Sequence, residues 1–216
     1  MISRVPALVV SRSLAWLSSC FGASGTSANC NGCACSRAVQ AACRSFRSRY
    51  CSAEQELSKA EYLRLVKTAE EKRNGKLALL LQTVGGTGIR VSELPFITAE
   101  AVCRGEAVIR LKGKTRTILL PKKLQKSLKE YLRREKITEG PVFVTRTGQP
   151  LDRSNIWKMM KALCREAGVD EKKVFPHNLR HLFARCFYSA DKDIAKLADI
   201  LGHSSINTTR IYPKFS

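Results

Sequence analysis

The chain changes character at Glu54, and that break limits where a fold can be encoded. Residues 1–53 hold six Arg but no Lys and no acid, and all 18 acidic residues lie from Glu54 onward. The front segment is rich in Ser, Cys, Ala and Gly and shows no sustained hydrophobic period, so it offers no face to bury. Three readings are open for it. It is an Arg- and Ser-rich, acid-free targeting peptide, a small thiolate metal site on Cys30, Cys33 and Cys35, or a disordered or non-native stretch. The last is preferred, because no second Cys-x-x-Cys or His pair completes a ligand set. The folded domain is expected over residues 54–216, with 1–53 as an atypical extension and no metal site.

Charge narrows the partner. The formal net charge is +20, a field that draws polyanions and repels basic partners. Nucleic acid and an anionic membrane surface are the two candidates. No apolar run reaches the ~18 residues of a spanning helix, so no membrane partner is expected. The nine cysteines, six of them before residue 52, are odd in number and follow no clean secretory signal. A reducing cytosol is expected rather than a disulfide framework.

From Glu54 the local signals agree with one another. Ser58 to Glu61 is a capping box, flanked by Leu57 and Tyr62 as a hydrophobic staple. The helix it opens should run to about Arg73, with Asn74-Gly75 stopping it. Lys76 to Val84 reads as a buried helix broken at Gly85-Gly86-Thr87-Gly88. Ala107 to Leu111 alternates like a strand, Lys112-Gly113-Lys114 turns, and Thr115 to Leu120 returns. Leu124, Leu128, Tyr131 and Leu132 recur at helical spacing. Val142 to Val144 is predicted as a third strand. Ser154 can cap a helix carrying Ile156, Trp157, Met160 and Leu163, and two more helices follow near 177–190 and 192–201. The expected fold class is α+β, mostly α, with a small antiparallel three-stranded sheet.

Three segments place polar groups where a core pattern wants apolar ones. In Thr87 to Leu94, Arg90 follows a Gly-rich break and is aimed at an anion or paired with Glu93. In His177 to Ala184, His177 and Arg180 are three apart on one helical face, while Leu179, Leu182 and Phe183 hold the other. A guanidinium grips two phosphate oxygens and stays charged, and an imidazole exchanges a proton near neutrality. In Leu201 to Tyr212, Gly202 closes a helix, His203 sits just past it, and Ser204, Ser205 and Asn207 can cap a new helix that carries Tyr212. Each segment alone also fits ordinary packing.

Their order is more specific. Thr87-Gly-Ile-Arg-Val-Ser-Glu-Leu94, His177-Asn-Leu-Arg-His-Leu-Phe-Ala184, and Leu201-Gly-His203 with Tyr212 nine residues on, resemble the motif boxes of the tyrosine recombinase (phage integrase) family. The resemblance spans residues 57–212 and is strongest to Xer-like and mobile-element integrases of bacteria. It implies site-specific recombination or integration. Tyr212 would attack a DNA phosphodiester, forming a 3′-phosphotyrosyl link and freeing a 5′-hydroxyl that later reverses the step. No cofactor, ATP or metal is implied. Arg90 and Arg180 would stabilise the charge of the transition state, with His203 as a further donor, and His177 would steer the proton of Tyr212. A lysine in the inter-strand turn would protonate the leaving oxygen. A common family form, Lys-Gly-Gly-Lys-Thr-Arg-Thr, points to Lys112. The turn here is one residue shorter, and Lys114 stays open as the alternative.

The implied partners are double-stranded DNA and further copies of the chain, a homo-oligomer (tetramer) on DNA, at the bacterial nucleoid. On α-helical spacing Lys122, Lys126 and Arg133 belong to a basic face that contacts phosphates or simply meets solvent. Family members carry a helical core-binding domain ahead of the catalytic one and often a tail after the tyrosine. Residues 1–53 show no such pattern, and four residues follow Tyr212. A truncated, catalytically impaired DNA-binding remnant of a mobile-element integrase is therefore the alternative, and a type IB topoisomerase-like activity shares the chemistry.

Overall fold

Side chains that close helix ends set the first elements. The computed structural model describes residues 55–111, 113–203 and 205–210. The expectations for residues 1–53, Lys112, Ser204 and Tyr212 lie outside them. Helix α1, Lys59–Glu71, opens on the expected capping box, Ser58 accepting from the Glu61 amide and Glu61 accepting from the Ser58 amide. Helix α2, Gly75–Thr87, opens on Asn74, whose side chain accepts from the Leu77 amide. Asn74 therefore starts one helix rather than ending the other; α1 has already closed at Lys72.

The break expected over Gly85 to Gly88 falls only at the last of these residues. Helix α2 runs through the diglycine to Thr87 and stops at Gly88, which is left-handed at φ 65°. Gly85 lies where the Tyr62 ring rests, so α2 uses it for close packing against α1. Eight of the eleven side chains from Leu77 to Thr87 are buried aliphatic or Thr groups facing α1, α4 and α6.

After α2 come a 3-10 turn, Val91–Phe96, then α3, Ala99–Arg104, and two strands, β1, Glu106–Leu111, and β2, Lys114–Leu119. The strands pair antiparallel with Ala107 opposite Ile118 and Ile109 opposite Arg116. Ala107, Ile109 and Ile118 face the core, and Val108 and Leu119 face solvent. The third strand predicted at Val142 to Val144 is absent. The segment makes only isolated bridges, Thr98 with Pro141 and Val144 with Pro150. The first bridge is held by the amides of Val142 and Ala99, and it extends no further because the Ile97 amide is taken by Leu94 and the Gly140 amide by Glu100. Phe143 is nonetheless fully buried, and its carbonyl accepts from Leu151.

Helix α4, Lys122–Glu135, buries Leu124, Leu128, Tyr131 and Leu132, the four residues its spacing selects. Helix α5, Arg153–Ala167, is capped by Asp152 rather than Ser154, the Asp152 carboxylate accepting from the Asn155 amide at 2.6 Å. Helix α6, Pro176–Asp191, follows, with α7, Ile194–Leu201, and the four-residue α8, Ile206–Thr209. Helix α6 packs on α2 and on α7. Its side chains also hold the chain that leads into α1. Asn178 donates to the carbonyls of Gln55 at 2.8 Å and Lys173 at 2.6 Å. Arg185 donates to the Leu57 carbonyl at 2.7 Å and pairs with Glu56.

Gly88 sits at the junction of these helices, and a Cβ there would run into the Phe183 ring on α6. We expect Gly88→Ala to destabilise the domain by at least about 1–2 kcal/mol, the cost of a left-handed residue with a side chain. Urea unfolding followed by circular dichroism measures it, and an unchanged midpoint would show that α2 closes in another way.

Candidate active site

The ends of α2, α6 and α7 meet on the Arg180 guanidinium. Arg180 is 2% exposed. Its Nη1 donates to the Gly88 carbonyl at 2.6 Å, and its Nη2 donates to the Leu201 carbonyl at 2.6 Å and reaches His203 Nε2 at 3.1 Å. Gly88 caps the C-terminus of α2, and Leu201 is the last residue of α7. Both carbonyls lie at helix ends that carry partial negative charge, which suits a buried cation.

The contacts also fix the His203 tautomer. A guanidinium only donates, so Nε2 accepts from Arg180 and Nδ1 carries the hydrogen, donating to Thr209 Oγ at 2.8 Å. His203 is held down to about 4, first by burial and then by the charges of Arg180, Arg90 and Arg116. It is neutral at pH 7 and becomes a donor toward an anion on the Nε2 side only when protonated.

His177 lies in the first turn of α6, exposed to solvent over part of its ring. Packing lowers its affinity for a proton, and Arg180, Arg90 and Arg153 lower it further. His181, 8% exposed, meets it edge-on with ring centroids 4.5 Å apart. Burial, followed by His177 and three other neighbours, pushes His181 down to about 3. All three histidines of the chain thus gather in one place.

Arg90 keeps 43% of its side chain exposed. Glu93, 2% exposed, holds it twice: a carboxylate oxygen accepts from the Arg90 amide at 2.8 Å and the other from Nη1 at 3.0 Å. The same carboxylate accepts from Arg116 Nη2 at 2.5 Å. Arg116 Nη1 donates to the Ile200 carbonyl at 2.5 Å, and its Nε is buried with no hydrogen-bond partner among the described atoms.

Of the residues singled out in the sequence, Arg90, His177, Arg180 and His203 come together. Lys112 and Tyr212 lie outside the described residues, as does the side chain of Lys114, whose backbone is the first residue of β2. Lys122, Lys126 and Arg133 are exposed on the outer face of α4. The sequence reading missed Arg116, Thr209 and His181. Arg116 was detectable: period two along β2 puts it on the buried face with Ile118. Thr209 and His181 carry no such signal. No cluster of His, Cys, Asp or Glu able to hold a metal occurs among the described residues, and no described helix is long and apolar enough to cross a membrane.

Residues 55–215 match the phage integrase family, and the chain belongs to it. It is 34% identical over 145 residues to the tyrosine recombinase XerD of Listeria monocytogenes, covering 62% of this chain and 48% of that protein. The crystal structure of the XerA recombinase superposes with a TM-score of 0.64 at 30% identity, covering 73% of this chain and 57% of that one. The XerH site-specific recombinase, in a post-cleavage complex with its palindromic difH substrate, gives a TM-score of 0.64 at 26% identity over 74% of this chain and 49% of that one. The chain spans about half the length of the curated relatives it matches.

Two tests follow from the geometry. Glu93→Gln leaves two guanidiniums sharing a neutral amide, and we expect a loss of about 3–5 kcal/mol, as for a broken buried pair; a loss below about 1 kcal/mol in urea titration would show that solvent screens the cluster. For pH, the folded His203 titrates near 4 and its unfolded form near 6.5. The unfolded chain therefore binds protons first as the pH drops. The contribution of His203 to stability is complete above 6.5 and is lost progressively toward 4. His181, at about 3, acts in the same sense. Urea midpoints should fall between pH 7 and pH 5, with a shallower fall in His203→Gln; equal slopes for the two proteins would refute the linkage.

Proposed function

We propose that this chain cleaves and rejoins double-stranded DNA through a 3′-phosphotyrosyl bond to Tyr212, as a site-specific recombinase or integrase. The observation that carries the reading is the Arg180 guanidinium, buried between two helix-end carbonyls and His203, with the charge of Arg90 bearing on both His203 and His177. Such a cluster of cationic and imidazole groups suits a phosphodiester whose nonbridging oxygens gain negative charge, and each well-placed donor of this kind is worth about 2.7–4 kcal/mol. The relatives support the same reading, one of them captured with its substrate after cleavage.

The groups divide the work by chemistry. Arg90, anchored by Glu93, and Arg180 hold the phosphate and stabilise the transition state. A phosphate next to His203 supplies the negative charge that favours its protonation, after which Nε2 donates to a nonbridging oxygen. His177, neutral at pH 7, takes or steers the proton of Tyr212, a phenol with an ordinary pKa of about 10 that the two guanidiniums help to ionise. The bond from Tyr212 oxygen to phosphorus forms as the bond to the 5′-oxygen breaks. Lys112, or Lys114 in its place, gives that oxygen its proton. A 5′-hydroxyl reverses the step, so the energy of the bond is conserved without ATP or metal. Lys122, Lys126 and Arg133 grip the duplex backbone, and the working form is a tetramer on DNA at the nucleoid of the bacterial cytoplasm.

The test is covalent trapping. A pool of duplexes nicked beside the scissile phosphate, with randomised flanks, is incubated with the full chain and run under denaturing conditions. An adduct is expected that vanishes in Tyr212→Phe and forms about 10²–10³-fold more slowly in Arg180→Ala. Either Lys112→Ala or Lys114→Ala should slow it comparably; if both cut normally, the lysine assignment is wrong. Binding without any adduct would leave a DNA-binding remnant as the function.

A further inference from the structure

Arg116 departs from what a strand needs. It lies in β2 opposite Ile109, on the face that Ile118 buries. A solvated surface arginine would sit on the other face with Thr115 and Thr117. Burial lowers the proton affinity of Arg116, and Glu93 offsets this. Placing a guanidinium here costs desolvation, and Nε finds no hydrogen-bond partner among the described atoms.

What Arg116 touches suggests why it is there. One nitrogen binds Glu93, the carboxylate that also anchors Arg90, and another binds the Ile200 carbonyl near the end of α7, three residues before His203. The guanidinium passes directly over Gly202: a Cβ on that glycine would lie 2.7 Å from Arg116 Cδ and 2.9 Å from Nη1. Three parts of the candidate site are tied by this one side chain: the Arg90 turn, the α7 end that presents His203, and the β1–β2 hairpin. The first two already hold each other through Arg180 and Gly88. The hairpin's buried face, Ala107, Ile109 and Ile118, packs on the core, and β1 lies against α3 and the Val91–Phe96 turn; Arg116 adds the tie from this ribbon to the end of α7. The ribbon's tip carries Lys112 and Lys114, the latter two residues from Arg116, about 7 Å of strand.

We propose that Arg116 is a positioning residue that fixes the hairpin, and with it the proton-donating lysine, against the phosphate-holding groups. This rests on the reading of the site as a phosphotyrosyl-forming centre. In that step the P–O5′ bond breaks and the oxygen leaves with a proton from the lysine ammonium. If sulfur replaces the bridging oxygen, the leaving group is a thiolate of ordinary pKa near 8.5, which departs without that proton. Loss of a lysine's position is then harmless, whereas damage to Arg90, Arg180 or His203 is not.

The experiment uses a duplex recovered from the adduct pool, made with either oxygen or sulfur at the bridging position, and the full chain. Arg116→Gln should bind both duplexes as the wild type does. It should cleave the oxygen duplex about 10²-fold more slowly, the usual cost of a misplaced group, and the sulfur duplex within about threefold of the wild-type rate. Combining it with the lysine variant that proves slow should add no further defect. Equal slowing on both duplexes, or normal cleavage of both, overturns the assignment. Should the glutamine variant lose its fold by circular dichroism, Arg116→Lys, which keeps a charge for Glu93 but cannot also reach Ile200, carries the same comparison. A wild-type chain that cuts neither duplex overturns the functional reading itself, and the assignment with it.

Discussion

The structure depends on one buried cation. Arg180 is removed from water and cannot discharge, so every hydrogen bond it forms offsets desolvation that would otherwise unfold its surroundings. Two of its acceptors are main-chain carbonyls at the ends of α2 and α7. Those helices can therefore end only where their carbonyls meet the guanidinium, which fixes their lengths and their angle to α6. The groups proposed to act on DNA are held by the same bonds that hold the domain together.

A second cation lies behind the first. Glu93 joins Arg90 to Arg116, and Arg116 continues to Ile200. The candidate site thus has two layers of guanidinium, one bound mainly to the backbone and one to a carboxylate. Arg90, the most exposed of the three, is held from behind while its outer side stays open. This division suits recognition of an anion: rigid support on the protein side and accessible charge on the solvent side.

Much of this was readable from the sequence, and the gaps have physical causes. The capping box at Ser58, the amphipathic pattern of α4 and the two strands depend on residues within a few positions of one another, and all three appear. The diglycine in α2 was misread because glycine's cost in a helix is only about 1 kcal/mol, less than the gain from letting Tyr62 pack against it. The third strand was misread because Val142 to Val144 has the composition of a strand, while the neighbouring amides of Ile97 and Gly140, which a ladder would use, are taken by Leu94 and Glu100. Arg90, His177, Arg180 and His203 were found through their order along the chain, and the pairing of Arg90 with Glu93 through their spacing. Arg116 was overlooked although the period of β2 marks it as buried, since its partner Ile200 is distant in sequence, and Thr209 meets His203 across a chain reversal that local periodicity does not describe.

The way the chain reaches α1 has a mechanical consequence. Gln55, Glu56 and Leu57 are fastened to α6 by Asn178 and Arg185, and α6 is the helix of His177 and Arg180. A pull on the backbone at residue 55 is transmitted to that helix before any loop can absorb it. Whatever is tethered there, native or grafted, has leverage on the imidazole and the guanidinium, and a change in its orientation can be felt at the groups proposed to hold the phosphate without touching them.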